Sequence, residues 1–174
     1  HESDGNVRGA FAVYEQMELY FPNAKIMGKE GKVIPARENN LYNLVRTSAL
    51  IGEVLITEQY GSIFLKDFPK SKYVNEVRRL MLTSLFFNGE YEKCIEVAEI
   101  MMPKLSEGTK QHEICLFVLG GSKHYLGEFF DAQPLLDKYM STYGKDEKTD
   151  KLRLMATTYF QAANLSRLQE WSRS

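Results

Sequence analysis

The sequence predicts an all-α fold, an α-solenoid of stacked antiparallel helix hairpins running through a single domain over residues 1–174. Three observations predict it. Apolar residues recur at helical spacing along nearly the whole chain, paired β-hairpin signals are missing, and glycines return at an almost constant interval between the helical stretches.

The helical spacing is carried by Val13, Met17 and Tyr20, by Leu41, Leu44, Val45 and Ser48, by Val77, Leu80, Met81 and Leu85, by Leu116 and Leu119, and by Leu152, Met155, Ala156 and Tyr159. Steps of three and four residues place such positions on one face of a helix. The one Asp-Gly pair, Asp4-Gly5, has no alternating run on either side and so does not read as a hairpin turn.

Gly52, Gly89 and Gly127 lie 37 and 38 residues apart, and Asn164 follows after another 37. Each stands between two helical patterns, where a residue tolerant of left-handed backbone ends one helix and lets the next begin. Gly5 precedes Gly52 by 47 residues, and the extra length falls between Asn23 and Arg37, where Gly28, Gly31 and Pro35 read as a long loop. The chain therefore divides into a half repeat at 5–22, a loop at 23–37, hairpins at 38–69, 75–103 and 112–143, and a partial hairpin at 149–174. Ends in mid-repeat make a segment of a larger protein or assembly the expectation.

Five residues after each turn come Ala10, Thr57, Cys94 and Ala132, all small, as two helices at closest approach require. Seventeen after the first two come Pro22 and Pro69, in the similar phrases Phe21-Pro22-Asn23-Ala24-Lys25 and Phe68-Pro69-Lys70-Ser71-Lys72, where proline stops a helix. This register resembles the tetratricopeptide repeat (TPR) family. Gly5 to Pro22, with Ala10 and Tyr14, looks like the second helix of a repeat. Gly89-Glu90-Tyr91 with Cys94, Ile95 and Ala98, and Leu119-Gly120 with Gly127-Glu128-Phe129 and Ala132, look like others. The resemblance implies a right-handed superhelix. The phrase Phe68–Tyr73 is similar to bacterial cell-envelope members, the outer-membrane assembly lipoproteins and TolA-binding proteins, which leans the expected compartment toward the periplasm or cell envelope. The chain departs from the family twelve residues after each turn, where Met17, Phe64, Met101 and Tyr139 replace the usual alanine. Pro103 is displaced as a stop, and Tyr143-Gly144 stands in for the next one.

Lys and Arg number 22 against 23 Asp and Glu, a net charge of -1, so no global field favours nucleic acid or an anionic membrane, and neither is an expected partner. No run is apolar enough for a transmembrane segment. Two cysteines, Cys94 and Cys115, make no disulfide framework, and His1, His112 and His124 leave little for zinc. Gly28-Lys29-Glu30-Gly31-Lys32-Val33 lacks the spacing and hydroxyl of a phosphate loop, and His112-Glu113 lacks the second histidine of a zinc-protease helix. Glu90, Glu92, Glu96 and Glu99 read as a solvated face. Asn164-Leu165-Ser166 fits a glycosylation pattern at an expected helix turn. No catalytic residue, cofactor or metal is expected.

The resemblance implies instead that the first helix of each repeat lines a concave groove. In that register the groove side chains are Tyr42 and Arg46, then Arg79, Thr83 and Phe86, then Phe117, Gly121 and His124, then Lys151, Leu154 and Gln161. Alternating aromatic and basic residues suit an extended or helical peptide of acidic or C-terminal carboxylate character. The competing expectation is that half of these residues pack in the core and that His124 is a structural, hydrogen-bonded histidine. A second candidate surface is the basic loop, Lys25, Lys29, Lys32 and Arg37 against Glu30. Of Phe86-Phe87 and Phe129-Phe130, one ring per pair is expected to be exposed. The expected function is a non-enzymatic protein-interaction scaffold. Its alternatives are a recruiting or regulatory module of a multidomain enzyme and an oligomerising structural array.

Overall fold

The computed structural model describes residues 2–27 and 33–172, with side chains over 6–27 and 35–172. Among the described residues the chain forms eight helices: α1 (Glu2–Tyr20), α2 (Arg37–Ile51), α3 (Val54–Asp67), α4 (Val74–Phe87), α5 (Tyr91–Met101), α6 (Lys110–Tyr125), α7 (Phe129–Tyr143) and α8 (Lys151–Trp171). A short 3-10 turn at Met102–Lys104 holds Pro103. None of these helices is long and apolar enough to cross a membrane.

The turn glycines behave as their spacing predicts. Gly52, Gly89 and Gly127 have φ of 78°, 82° and 80°, left-handed backbone that side chains with a Cβ rarely adopt, and each ends one helix just before the next. Two turn assignments fail. Gly5 lies inside α1 and Asn164 inside α8, so α8 is one continuous helix through the position where the last hairpin was expected to turn. In both places the intrahelical ladder continues through a residue that permits a turn without requiring one. The described residues of the expected long loop include two short strands. Lys25–Met27 (β1) pairs antiparallel with Val33–Pro35 (β2), and Ala36 N–H donates to Ala24 O at 2.8 Å, closing the base of this ribbon.

The chain divides into two compact units, His1–Ser84 and Leu85–Ser174, with the boundary inside α4. In the first unit Leu41, Leu44 and Val45 of α2, Tyr60 and Phe64 of α3, and Val77, Leu80 and Met81 of α4 form one core. Each fully buried Leu or Phe contributes on the order of 2 kcal/mol. The small position of α3 holds: Thr57 is fully buried and its hydroxyl donates to Ser48 Oγ at 2.9 Å. Arg37 at the start of α2 is clamped by Glu18 at 2.8 Å and Asp67 at 2.7 Å, tying α1, α2 and α3 together.

In the second unit α6 is the central helix. Every residue from His112 to Ser122 is buried, because α5, α7 and α8 all pack on it. A helix buried all round needs small residues where neighbours come closest. A Cβ on Gly120 would lie 2.9 Å from Leu136 of α7, and one on Gly121 would lie 3.0 Å from the Phe86 ring and 3.3 Å from that of Phe160. Cys94 and Ala132, the small positions of α5 and α7, are both fully buried. The bulky residues twelve after each turn, Phe64, Met101 and Tyr139, fill the core.

Candidate functional site

An open cleft of about 420 Å³ lies in the second unit, its floor made by Phe86, Phe117 and Phe160. These rings come from α4, α6 and α8, and Gly121 lets two of them approach the α6 backbone. Phe86 meets Phe117 edge-on at 5.5 Å and Tyr91 at 5.7 Å, and Tyr91 stacks on Tyr125 at 4.6 Å with 11° between the rings. Edge-to-face and offset contacts of this kind rigidify an aromatic wall. Three large apolar side chains on the rim face solvent: Phe87 is 84% exposed, Leu152 75% and Tyr125 51%.

The cleft has one polar end, Asp150 and Arg153. Asp150 caps α8, its carboxylate accepting from the Leu152 and Arg153 amides at 2.9 and 3.3 Å. Arg153 Nε donates to Glu113 Oε1 at 2.9 Å, and Glu113, buried on α6, also accepts from Tyr139 OH at 3.0 Å and Lys110 Nζ at 2.9 Å. Burial, then the charge of Glu113, holds the Tyr139 phenol above its usual range, so it stays a donor. Nearby, burial and then Lys138 push the His112 imidazole below its usual value against the opposing pull of Glu107. The ring is held in its neutral form 2.6 Å from the Tyr143 hydroxyl.

The residues expected to line a groove occupy different environments. Phe86 and Phe117 meet in the cleft floor, each under a tenth exposed. His124 is half-buried, its Nδ1 2.6 Å from Asn164 Oδ1 and its ring 4.7 Å from Phe160, a structural arrangement. Lys151 is exposed at the start of α8, Leu154 is half-buried, and the Gln161 amide donates to Asp137 at 2.5 Å. In the first unit Tyr42 stacks on Tyr73 at 4.1 Å, and Arg79 forms a two-pronged ion pair with Glu76. Thr83 donates to the Arg79 carbonyl at 2.9 Å, while Arg46 is exposed.

Within the basic loop, Lys25 is exposed and Arg37 is consumed by its two carboxylates, while Lys29, Glu30 and Lys32 lie outside the described residues. The phenylalanine pairs divide as expected in the first case, Phe86 buried and Phe87 exposed. In the second, Phe129 is half-buried and Phe130 68% exposed. Asn164 is fully buried within a helix, so its glycosylation pattern is closed to an enzyme while the protein is folded.

Sequence reasoning missed Tyr91, Tyr125, Leu152, Arg153 and Phe160 as cleft residues, and Glu113 beneath them. A partial signal existed in the Phe86-Phe87 pair and in aromatics at both sides of the Gly89 and Gly127 turns. Among the described residues no group of three or more His, Cys, Asp or Glu is placed to hold a metal ion. Both cysteines are buried and neither is in a disulfide, and burial pushes each thiol up to about 12.

This arrangement of consecutive helix pairs has counterparts among solved structures. A protein described as a kinesin light chain with nearly identical TPR-like repeats, from Podosopora anserina, superposes with a TM-score of 0.61 at 16% identity over 98% of this chain and 82% of that one. A second structure of that protein gives 0.60 at 16% identity over 98% and 83%. No protein-family model matches the sequence, and no curated protein does. The chain has the TPR-like helical-repeat fold.

Proposed function

We propose that the protein is a non-enzymatic interaction scaffold that holds a segment of a partner protein in the aromatic cleft of its second unit. One observation carries this reading: Phe87, Tyr125 and Leu152 are large, apolar and more than half exposed, and all three converge on a single cleft with a rigid aromatic floor. Exposed apolar groups gathered in one place mark an interaction site far more often than scattered ones do. Phe86 and Phe117, expected from the sequence to contact a partner, supply the floor, and Lys151 stands beside the rim. Tyr42, Arg46, Arg79 and Thr83 form a separate candidate surface on the first unit, and His124 and Gln161 act through the packing of α8. A bacterial cell-envelope setting rests on the Phe68–Tyr73 phrase alone and draws nothing from the matched structures.

The test is selection from a displayed random-peptide library on the intact chain, with affinities of the selected peptides measured by fluorescence anisotropy. Peptides that bind the chain and lose tenfold or more against Phe87→Ala and Tyr125→Ala support the cleft. Peptides indifferent to both but sensitive to Arg46→Ala and Arg79→Ala move the site to the first unit. No selected peptide at all overturns the scaffold reading.

A further inference from the structure

The cleft of the second unit carries a charge pattern that narrows the chemistry of the segment fitting there. From Phe160, Ala156 and then Arg153 follow back along one face of α8 at steps of four and three residues, and Asp150 caps that end. At the helical rise the cleft runs about 15 Å from an aromatic end to a polar one. Most of the side chains lining it are aromatic. The face of a ring is the negative part of its quadrupole, so a cation is attracted there and an anion is not.

Two features of the polar end suit an anion, and the protein occupies both with its own carboxylates. The Leu152 and Arg153 amides at the start of α8 donate to Asp150 Oδ1 at 2.9 and 3.3 Å. The Arg153 guanidinium donates through Nε to the buried Glu113 at 2.9 Å. An incoming carboxylate meets Arg153 already flanked by two like charges. Lys110, which also serves Glu113, lines a separate small cavity, and Lys151 lies outside the cleft lining. A cation, by contrast, finds an acceptor. Asp150 Oδ2 makes no hydrogen bond among the described residues, its ion pair with Arg153 Nη1 is long at 3.7 Å, and the side chain is 43% exposed. Burial draws the Asp150 carboxyl upward, but the Arg153 amide, the Arg153 charge and the Leu152 amide hold it below its ordinary value, so it is ionised at neutral pH.

We infer that the segment held in this cleft is a basic one, with a bulky apolar anchor seated on Phe86, Phe117 and Phe160 and a Lys or Arg side chain paired with Asp150. The inference rests on the cleft being the partner site and states which partner it takes. An extended chain rises about 3.3 Å per residue, so the span of the cleft places the basic residue up to about four positions from the anchor.

The probes are peptides selected from the random library on the intact chain that lose binding to Phe87→Ala. They are expected to carry Lys or Arg within about four positions of an aromatic residue or Leu more often than the unselected library, and Asp or Glu less often. Asp150→Asn removes the charge while keeping an oxygen that caps α8, and circular dichroism confirms the fold. In fluorescence anisotropy the basic peptides weaken about threefold or more against this variant. The same peptides with Lys or Arg changed to Gln bind parent and variant alike. Added salt weakens the basic peptides on the parent more than their Gln versions. Phe87-sensitive peptides that lack basic residues or are enriched in acidic ones overturn the inference and leave the cleft as the partner site, as do basic peptides indifferent to Asp150→Asn. If no selected peptide is sensitive to Phe87→Ala, the cleft itself fails as the partner site and this inference falls with it.

Discussion

Arg153 places its Nε 2.9 Å from Oε1 of Glu113, joining α8 to α6 through a carboxylate whose side chain is only 5% exposed. The same oxygen accepts from the Tyr139 hydroxyl of α7, so one buried charge connects three helices. Taking an ion out of water is costly unless its partners remain, and loss of one partner costs more than the intact pair is worth. Arg153→Ala should therefore lower unfolding stability by about 2–3 kcal/mol in urea titration, somewhat less than a fully buried pair because Lys110 still serves Glu113. The Glu113→Ala, Arg153→Ala double variant should lose at least about 1 kcal/mol less than the two single losses added. Additive losses would show that the two side chains act separately.

Ala132 is fully buried where α7 is expected to meet α6 most closely. Ala132→Leu adds volume to a packed interior and should destabilise by about 1–3 kcal/mol. An unchanged melting temperature would show that the α6–α7 interface has room to spare.

Phe87 contributes little to the fold because 84% of it faces solvent. Phe87→Ala should change stability by less than about 0.5 kcal/mol, while peptides selected on the cleft lose about tenfold or more in affinity. A large loss of stability would instead make the ring a structural one.

His112 is a source of acid sensitivity. Its folded pKa lies below its unfolded value, first through burial and then through Lys138. The unfolded chain therefore binds the proton more readily. The contribution is complete above the unfolded pKa of about 6.5 and is lost as pH falls from there through the folded value. Urea midpoints measured between pH 7.5 and pH 5 should fall for the parent and fall less steeply for His112→Gln. Equal slopes would remove His112 from the acid response.

Cys94 and Cys115 are fully buried, with thiols pushed up to about 12. Reaction with an aromatic disulfide reagent should be undetectable in the native protein and complete for both thiols in denaturant. Rapid native reaction of either would mean that the second unit opens locally on the time scale of the assay.

The parts of the fold legible in the sequence are those set by neighbouring residues. Gly52, Gly89 and Gly127 announce their turns because only a residue without a Cβ adopts that backbone cheaply, and Thr57, Cys94 and Ala132 announce close helix contacts by size. Gly5 and Asn164 carry the same signal and were misleading, since a permissive residue also fits inside a helix when the flanking ladder continues. The candidate site was half legible. Phe86 and Phe117 were in view, whereas Tyr125, Arg153 and Phe160 were not, because a cleft gathered from α4, α6 and α8 leaves no spacing in any one helix.

The sequence by itself determined that this chain is helical, that its helices come in pairs with a period near 37 residues, and where three of the turns fall. Those properties follow from backbone preference and side-chain periodicity over a few residues. Only the tertiary structure decided that Phe86 turns inward while Phe87 faces solvent and that Glu113 reaches Arg153 forty positions away. Burial and pairing depend on which distant helix lands on which face, and that emerges only when all the helices of a unit pack at once.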